Sequence, residues 1–339
     1  MLFRSILNPV FPQEDFARQQ KQQLAAIQRE KVTGVAMGLR VLPALLYGKG
    51  HSYGNSLTGS GTEESVAKLT REDLVKFHQT WFRPNNGTLV VVGDTTMAEI
   101  TPKLEKLFAG WTKRDVPAKN ISHVPFPAKP VVYIMDRPGA LQSDILVGQV
   151  APPHNSPDEI AMETMNSIFG SDFGARINMN LREDKHWSYG ATSVLFDARG
   201  QQPFLVYAPV QSDKTKESLD ELNKEFRGIV GNRPPVAAEL QRAQNSMTLK
   251  LPGSRETIDA VGSSILEQVQ FGLPDDYYAT FAQKVRSLGV PAVTDAAKST
   301  IHPDNLVWVV VGDRAKIEAG IRQLGLGEVK VLDANGNPL

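Results

Sequence analysis

Apolar positions along this chain recur at two periods. Over 13–30 and 31–46 they return at roughly helical spacing, which predicts two helices. Residues 47–62, YGKGHSYGNSLTGSGT, are rich in Gly and Ser and predict a loop. A helix over 70–82, a strand over 88–93 and a helix over 97–109 are expected next. Pro117, Pro125, Pro127 and Pro130 break any periodicity over 112–130, which reads as a linker. Strands are then expected near 131–136 (VVYIMD) and 144–150 (DILVGQV), and a helix over 157–169. The segment GSDFGARINMNLREDKHWSYG (170–190) runs from a loop through a short helix to another loop. Strands near 191–197 and 203–209 form a hairpin around Gly200. Helices near 214–230, 236–250, 255–271 and 275–287 come last before one more strand and helix.

One phrase occurs twice. RPNNGTLVVVGD spans 83–94 and HPDNLVWVVVGD spans 302–313, 219 positions later. Each is a Pro-Asn turn, a run of β-branched residues and a Gly-Asp stop, the signature of a short buried strand. The likeness extends upstream. LTREDLVKFHQTWF (69–82) aligns with LGVPAVTDAAKSTI (288–301), each a short amphipathic helix entered through a capping residue or proline. With a gap of about five residues, FARQQ (16–20) also aligns with LQRAQ (240–244). The chain therefore contains a duplicated unit, at a period far beyond the roughly 20–50 residues of solenoids.

Strands and helices are segregated rather than alternating, which indicates an α+β fold, a mainly antiparallel sheet with helices on one face. Two tandem homologous units are expected. Residues 119–339 form the complete one. Residues 1–118 form a partial one, a helix-rich remnant whose counterpart of 119–224, most of a sheet, is not in the sequence. N-terminal truncation of a longer natural protein is the expected reason.

Composition narrows the function. The 339 residues are 41% hydrophobic and 22% charged, with 37 basic and 37 acidic residues. A net charge of zero argues against nucleic-acid binding, which calls for a basic excess. No apolar run approaches the ~18 residues of a membrane span. Cysteine is absent, so disulfides, thiolate metal sites and a Cys nucleophile are excluded. The N-terminal MLFRSILNPVFP lacks a long apolar region and a small-residue cleavage site, so no signal peptide is read there. Bacterial periplasm and cytosol are both compatible.

The most pointed chemistry lies in LREDKHWSYG (181–190). Arg182 offers a fixed fork of donors and Tyr189 a hydroxyl donor seven residues on. Together they can grip a peptide carbonyl or an oxyanion. Spacing alone leaves open a solvated helix arginine and a tyrosine that caps a strand. Glu183 and Asp184 are adjacent on a helix and point apart, as a solvated face does. GSGTEES (59–65) has no P-loop lysine and is a loop before a helix cap. His51 reads as a turn residue, His186 as a loop side chain beside Trp187, and His302 as part of the second Pro-Asn turn.

Taken together, the repeated xPxNxxxVVVGD, the GKGHSYGNSLTG loop (48–59) before LTREDLVKFHQTWFRPNN, and LREDKHWSYG resemble the pitrilysin/insulinase family of zinc metallopeptidases, the inverzincins. The resemblance covers nearly the whole chain. It implies two homologous halves, each of two α+β units, closing around a peptide. Zinc is held in the N-terminal half by an inverted H-x-x-E-H motif and a later Glu. The other half supplies an Arg and a Tyr that bind the substrate backbone near the metal, and Arg182 and Tyr189 match that pair. The departures are equally specific. The six histidines are at least 27 residues apart, so no H-x-x-E-H exists, and zinc catalysis needs three protein ligands and an activated water. The later Glu would fall in QLAAIQRE (23–30), where Ala25 and Ala26 stand, and Glu30, one turn on, is expected at the surface. The resemblance therefore implies the non-zinc half: no metal or cofactor of its own, zinc in a partner half or subunit, and an extended polypeptide as substrate. The alternative it implies is a catalytically inactive structural or assembly subunit of the same fold.

Overall fold

The structure is a computed structural model that describes residues 2–339. Its first part is helical: α1 (Leu2–Leu7), α2 (Gln13–Glu30), α3 (Gly34–Tyr47), α4 (Glu63–Lys68), α5 (Arg71–Trp81) and α6 (Met97–Phe108). The starts of α4, α5 and α6 carry capping boxes, Thr62 with Ser65, Thr70 with Asp73, and Thr96 with Glu99, which satisfy amide groups that a helix N-terminus leaves unpaired. The second part opens with β1 (Val131–Asp136), β2 (Gln142–Ala151), α7 (Glu159–Asn166), α8 (Arg176–Asn178), β3 (Thr192–Leu195) and β4 (Gln202–Gln211). It continues with α9 (Thr215–Val230), α10 (Ala237–Leu249), α11 (Ile258–Phe271), α12 (Tyr277–Ser287), α13 (Val290–Thr300), β5 (Val307–Gly312), α14 (Arg314–Gln323) and β6 (Glu328–Leu332).

The six strands form one sheet in the order β3-β4-β2-β5-β1-β6. The pairs β3/β4, β4/β2 and β2/β5 are antiparallel, while β1 runs parallel to both β5 and β6. The fold is α+β with a mainly antiparallel sheet. β5 is the run VWVVVG, central and buried along its whole length. A strand covered on both faces reads as a continuous apolar run, not an alternating one, and this is why.

Alternate residues of β5 serve two cores. Trp308 and Val310 join Phe169, Phe226 and Val293 in the main core, beneath α7, α9 and α13. Val307, Val309 and Val311 face the other way, onto Met37, Val41 and Leu42 of α3. The second part's own helices thus lie on one face, and a helix from the first part covers the other. Large apolar side chains at this depth contribute about 1.5–3 kcal/mol each.

Residues 88–93, expected as a strand, are not one. They have no strand neighbour, and Leu89 and Val91 are 49% and 47% exposed. Strand propensity expresses itself only where neighbouring backbone supplies the hydrogen bonds. Among the described residues, 1–118 contain no strand at all. Glu30 also departs from expectation. It is half-buried, and its Oε2 accepts from Arg40 at 2.6 Å, Ser60 Oγ at 2.6 Å and Thr58 Oγ1 at 3.0 Å. Burial alone would raise its pKa, but those three donors hold it below the usual carboxylate range. It anchors the glycine-rich loop.

Candidate functional site

Arg182 and Tyr189 both lie on the segment that leads from α8 to β3. Residues 179–184 wind as a π-helix, a geometry frequent at functional sites. Leu181 is buried in the main core and fixes that turn, so its neighbour Arg182 faces outward. The Arg182 guanidinium lies over the Phe173 ring at 4.6 Å and 3.1 Å from the Glu183 carboxylate. His186 follows with φ of 58°, an uncommon conformation for a non-glycine residue, and its Nδ1 lies 3.0 Å from the Arg182 carbonyl. The amide of Trp187 donates to the Leu181 carbonyl and that of Gln211 to the Trp187 carbonyl.

Ser188 bridges to Val210, which continues the β3/β4 ladder backward. Its hydroxyl donates to the Pro209 carbonyl at 2.6 Å and accepts from the Gly190 amide at 3.0 Å. Asn178 ties the loop from below, accepting from the Ala191 amide and donating to the Phe173 carbonyl. Tyr189 stands between these fixed points with its side chain 89% exposed. A large aromatic held out from an ordered backbone has no packing role where it stands. β3 is the edge strand of the sheet, so its outer amides and carbonyls are open to another extended chain. No hydrogen bond or ion pair joins Arg182 to Tyr189 among the described residues. What they share is the segment and the sheet edge that it leads into.

A second cluster was not legible in the sequence. His154 is buried, its Nδ1 3.1 Å from Asp197 and 3.9 Å from Glu159, its Nε2 3.6 Å from Glu267. Tyr277 donates to both Glu159 oxygens at 2.9 and 3.0 Å, and Tyr278 donates to Glu267. Burial alone would lower the His154 pKa. Asp197 and Glu267 outweigh it and raise it to about 10, which makes the ring the cation of the group. Burial also raises Glu159, while burial and the nearby Glu159 and Asp197 push Glu163 up to about 8. These residues border a cavity of about 350 Å³. The donor atoms of His154, Asp197 and Glu267 lie within 4.8 Å of one another. This set bears no relation to an inverted zinc motif. Ala25 and Ala26 on α2 offer no donor, and Glu30 is spent on Arg40 and the loop. The residues present do not fit catalytic zinc. No helix among the described residues is long and apolar enough to cross a membrane.

Comparison with known proteins gives a consistent picture. The family described as "Peptidase M16 inactive domain" matches residues 68–247. A Pseudomonas fluorescens structure described as a peptidase M16 inactive domain superposes with a TM-score of 0.82, at 21% identity, over 91% of this chain and 73% of that one. The mitochondrial-processing peptidase subunit alpha of Pongo abelii is 22% identical over 239 residues, 61% of this chain and 43% of the relative. The zinc protease PqqE of Helicobacter pylori is 20% identical over 164 residues, 48% of this chain and 37% of the relative. The chain thus spans about two fifths of the length of these curated relatives.

Proposed function

The chain belongs to the peptidase M16 family, through that family's inactive domain, and from this membership we propose that it is the non-zinc half of a two-part peptidase: it binds an extended polypeptide and completes the active site of a zinc-bearing half. The observation that carries the reading is Tyr189, displayed almost fully on an anchored loop that runs into the open edge strand β3. An extended peptide adds to such an edge through main-chain hydrogen bonds, which hold any sequence in register. The Tyr189 hydroxyl and the Arg182 guanidinium are then donors for a peptide carbonyl at that rim. Phe173 supports the guanidinium from one face and Glu183 engages Nη1 at 3.1 Å, so a peptide carbonyl would take the remaining N–H groups. Donors set in advance where charge develops in a transition state are the economical contribution for a half without metal.

The test is reconstitution. The 339-residue chain is mixed with a purified zinc-bearing half and a fluorogenic peptide. The reading expects no cleavage by this chain alone, peptide binding by this chain, and cleavage by the mixture that this chain stimulates. A chain that binds no peptide and stimulates no partner is instead a structural subunit of the same fold.

A further inference from the structure

His154 lies three residues past the end of β2, 3% exposed, and neither of its ring nitrogens makes a hydrogen bond. A buried polar side chain left in this state is rare and calls for a physical reason. The carboxylates around the ring do not remove the need. Glu267, 3.6 Å from Nε2, and Glu159, 3.9 Å from Nδ1, are beyond hydrogen-bond distance. Asp197 is 3.1 Å from Nδ1, but it lies off the direction in which the ring would donate. Three acidic groups thus surround a buried imidazole without pairing with it.

Groups that share one ion are spaced in this way. Ligands that each stand about 2.0–2.2 Å from a zinc-sized ion are roughly 3–4 Å from one another, and they point at the ion rather than along each other's axes. The donor atoms of His154, Asp197 and Glu267 meet that requirement, all lying within 4.8 Å of one another. One imidazole with two carboxylates suits a borderline divalent ion such as Zn²⁺ or Mn²⁺, and it lacks the thiolates that a soft ion prefers. Outer partners are in place as well. Tyr278 donates to Glu267, and Tyr277 donates to both oxygens of Glu159, which adds negative charge on the Nδ1 side. The cavity of about 350 Å³ that these residues border has room for the water ligands that complete a coordination shell.

The placement of the three residues says what an ion there would do. His154 follows β2, Asp197 follows β3 and Glu267 is on α11. Helix α11 is held weakly by packing. Ile258, Leu266 and Val269 are 60%, 48% and 41% exposed, and Phe271, at its last turn, is its one buried residue. The Phe271 ring meets the His154 ring edge to face at 4.7 Å, so the helix docks at the cluster itself. The site is also remote from Tyr189. Ala151 pairs with Gln202 at one end of β4, and Ser188 with Val210 at the other. Eight steps along that strand, from 202 to 210, at about 3.3 Å each put roughly 25 Å between the two ends.

We propose that His154, Asp197 and Glu267 form a structural site for one divalent transition-metal ion, of the zinc or manganese class, that fastens α11 to the ends of β2 and β3. The ion takes one imidazole nitrogen and an oxygen from each carboxylate, and Glu159 balances its charge. It supplies to α11 the anchorage that an exposed apolar face does not. In the ion-free chain a proton stands on the ring in its place, held by the same carboxylates, and the ion displaces it. The site serves the fold and takes no part in peptide-bond chemistry, so the inference does not rest on Arg182 or Tyr189.

The test starts from the 339-residue chain stripped with a chelator and titrated by calorimetry with Zn²⁺ and, separately, with Mn²⁺. One equivalent of at least one of these ions is expected to bind in the micromolar range or tighter. It should raise the melting temperature by several degrees, as a ligand of the folded state does. Amide exchange over 258–271 should slow at least tenfold on adding that ion, while exchange over 307–312 in the central strand stays as it was. Asp197→Asn and Glu267→Gln keep the shape of partly exposed side chains, so both variants should fold. Each should weaken binding tenfold or more and lose the slowing on α11. His123→Ala, which changes an exposed histidine elsewhere, should bind as the parent does. No stoichiometric binding of either ion at millimolar concentration overturns the proposal. So does binding that survives Asp197→Asn and Glu267→Gln combined, which places the ion on other residues. Binding that leaves exchange over 258–271 unchanged overturns the anchoring of α11.

Discussion

Gly38 lies so close to Leu146 that a Cβ on it would sit 2.4 Å from the leucine Cδ1. Helix α3 packs onto β2 at this point, and only a residue without a side chain permits the approach. Gly38→Val should therefore lower stability by about 1–3 kcal/mol, the usual cost of overpacking a dense core. Gly262 occupies the same place on α11 and meets nothing nearer than Val92 at 3.8 Å. Gly262→Val should stay within about 0.5 kcal/mol of the parent in the 339-residue chain. Urea unfolding of the two variants side by side reads the contrast. Equal losses would mean that α11 is already packed as α3 is.

The acidic cluster predicts how stability varies with pH. Glu163 is half-buried, and desolvation with the nearby Glu159 and Asp197 pushes its pKa up to about 8, so between about 4.5 and 8 the folded chain keeps a proton that the unfolded chain has lost. That linkage removes stability as pH rises through this window. His154 acts in the same direction higher up. Its contribution is complete below the ordinary histidine pKa and is lost as pH rises through about 10. Denaturation midpoints should fall steadily from pH 5 to pH 8. Glu163→Gln should flatten that slope and leave the decline toward pH 10. A parent profile that rises from pH 5 to pH 8 contradicts this assignment.

Tyr277 carries a separable part of the same cluster. Its hydroxyl donates to the buried Glu159 carboxylate, and removing it leaves that acceptor one donor short. Tyr277→Phe should cost about 1.5–3 kcal/mol, the range for a hydrogen bond to a charged group. Glu159 is already raised by burial and loses a donor that lowers it, so its pKa climbs further. The loss should thus grow between pH 5 and pH 7. Thermal melts at both values measure it, and a pH-independent loss would point to packing alone.

How far the sequence carried this depended on the reach of the interaction. Helix α5 and the turn at Pro84–Asn86 follow from capping and proline, which act within a few residues. β5 was equally legible, because a run such as VWVVV is apolar wherever it lies. The same reasoning failed for 88–93, since a strand is a relation between segments and no neighbour pairs with this one. The crossing of α3 onto the second part's sheet left its trace only in a helix apolar over most of its surface. The His154 cluster left none, because Glu159, Asp197 and Glu267 meet it from α7, the chain after β3, and α11. For Arg182 and Tyr189, residue type and spacing were legible along the chain, and the structure adds the supports, Phe173 beneath one and Ser188 beside the other.

Those supports shape the last prediction. Tyr189→Phe removes one hydroxyl from a side chain 89% exposed, which forms no hydrogen bond among the described residues. The fold should not register the change, and the melting temperature should move by less than a degree or two. If the hydroxyl holds a substrate carbonyl that gains charge, its loss should lower turnover of the reconstituted enzyme about 10²–10³-fold, or about 2.7–4 kcal/mol. Arg182→Ala should act alike on turnover, but it also uncovers the Phe173 ring, so it is the less clean test. Arg182→Lys separates two roles. A lysine keeps the charge but lacks the planar fork, so a bidentate grip is lost while long-range attraction is kept. A KM that rises at unchanged kcat in Tyr189→Phe would assign the hydroxyl to ground-state binding of the peptide. Unchanged kcat and KM, with the fold intact, would remove Tyr189 from the site.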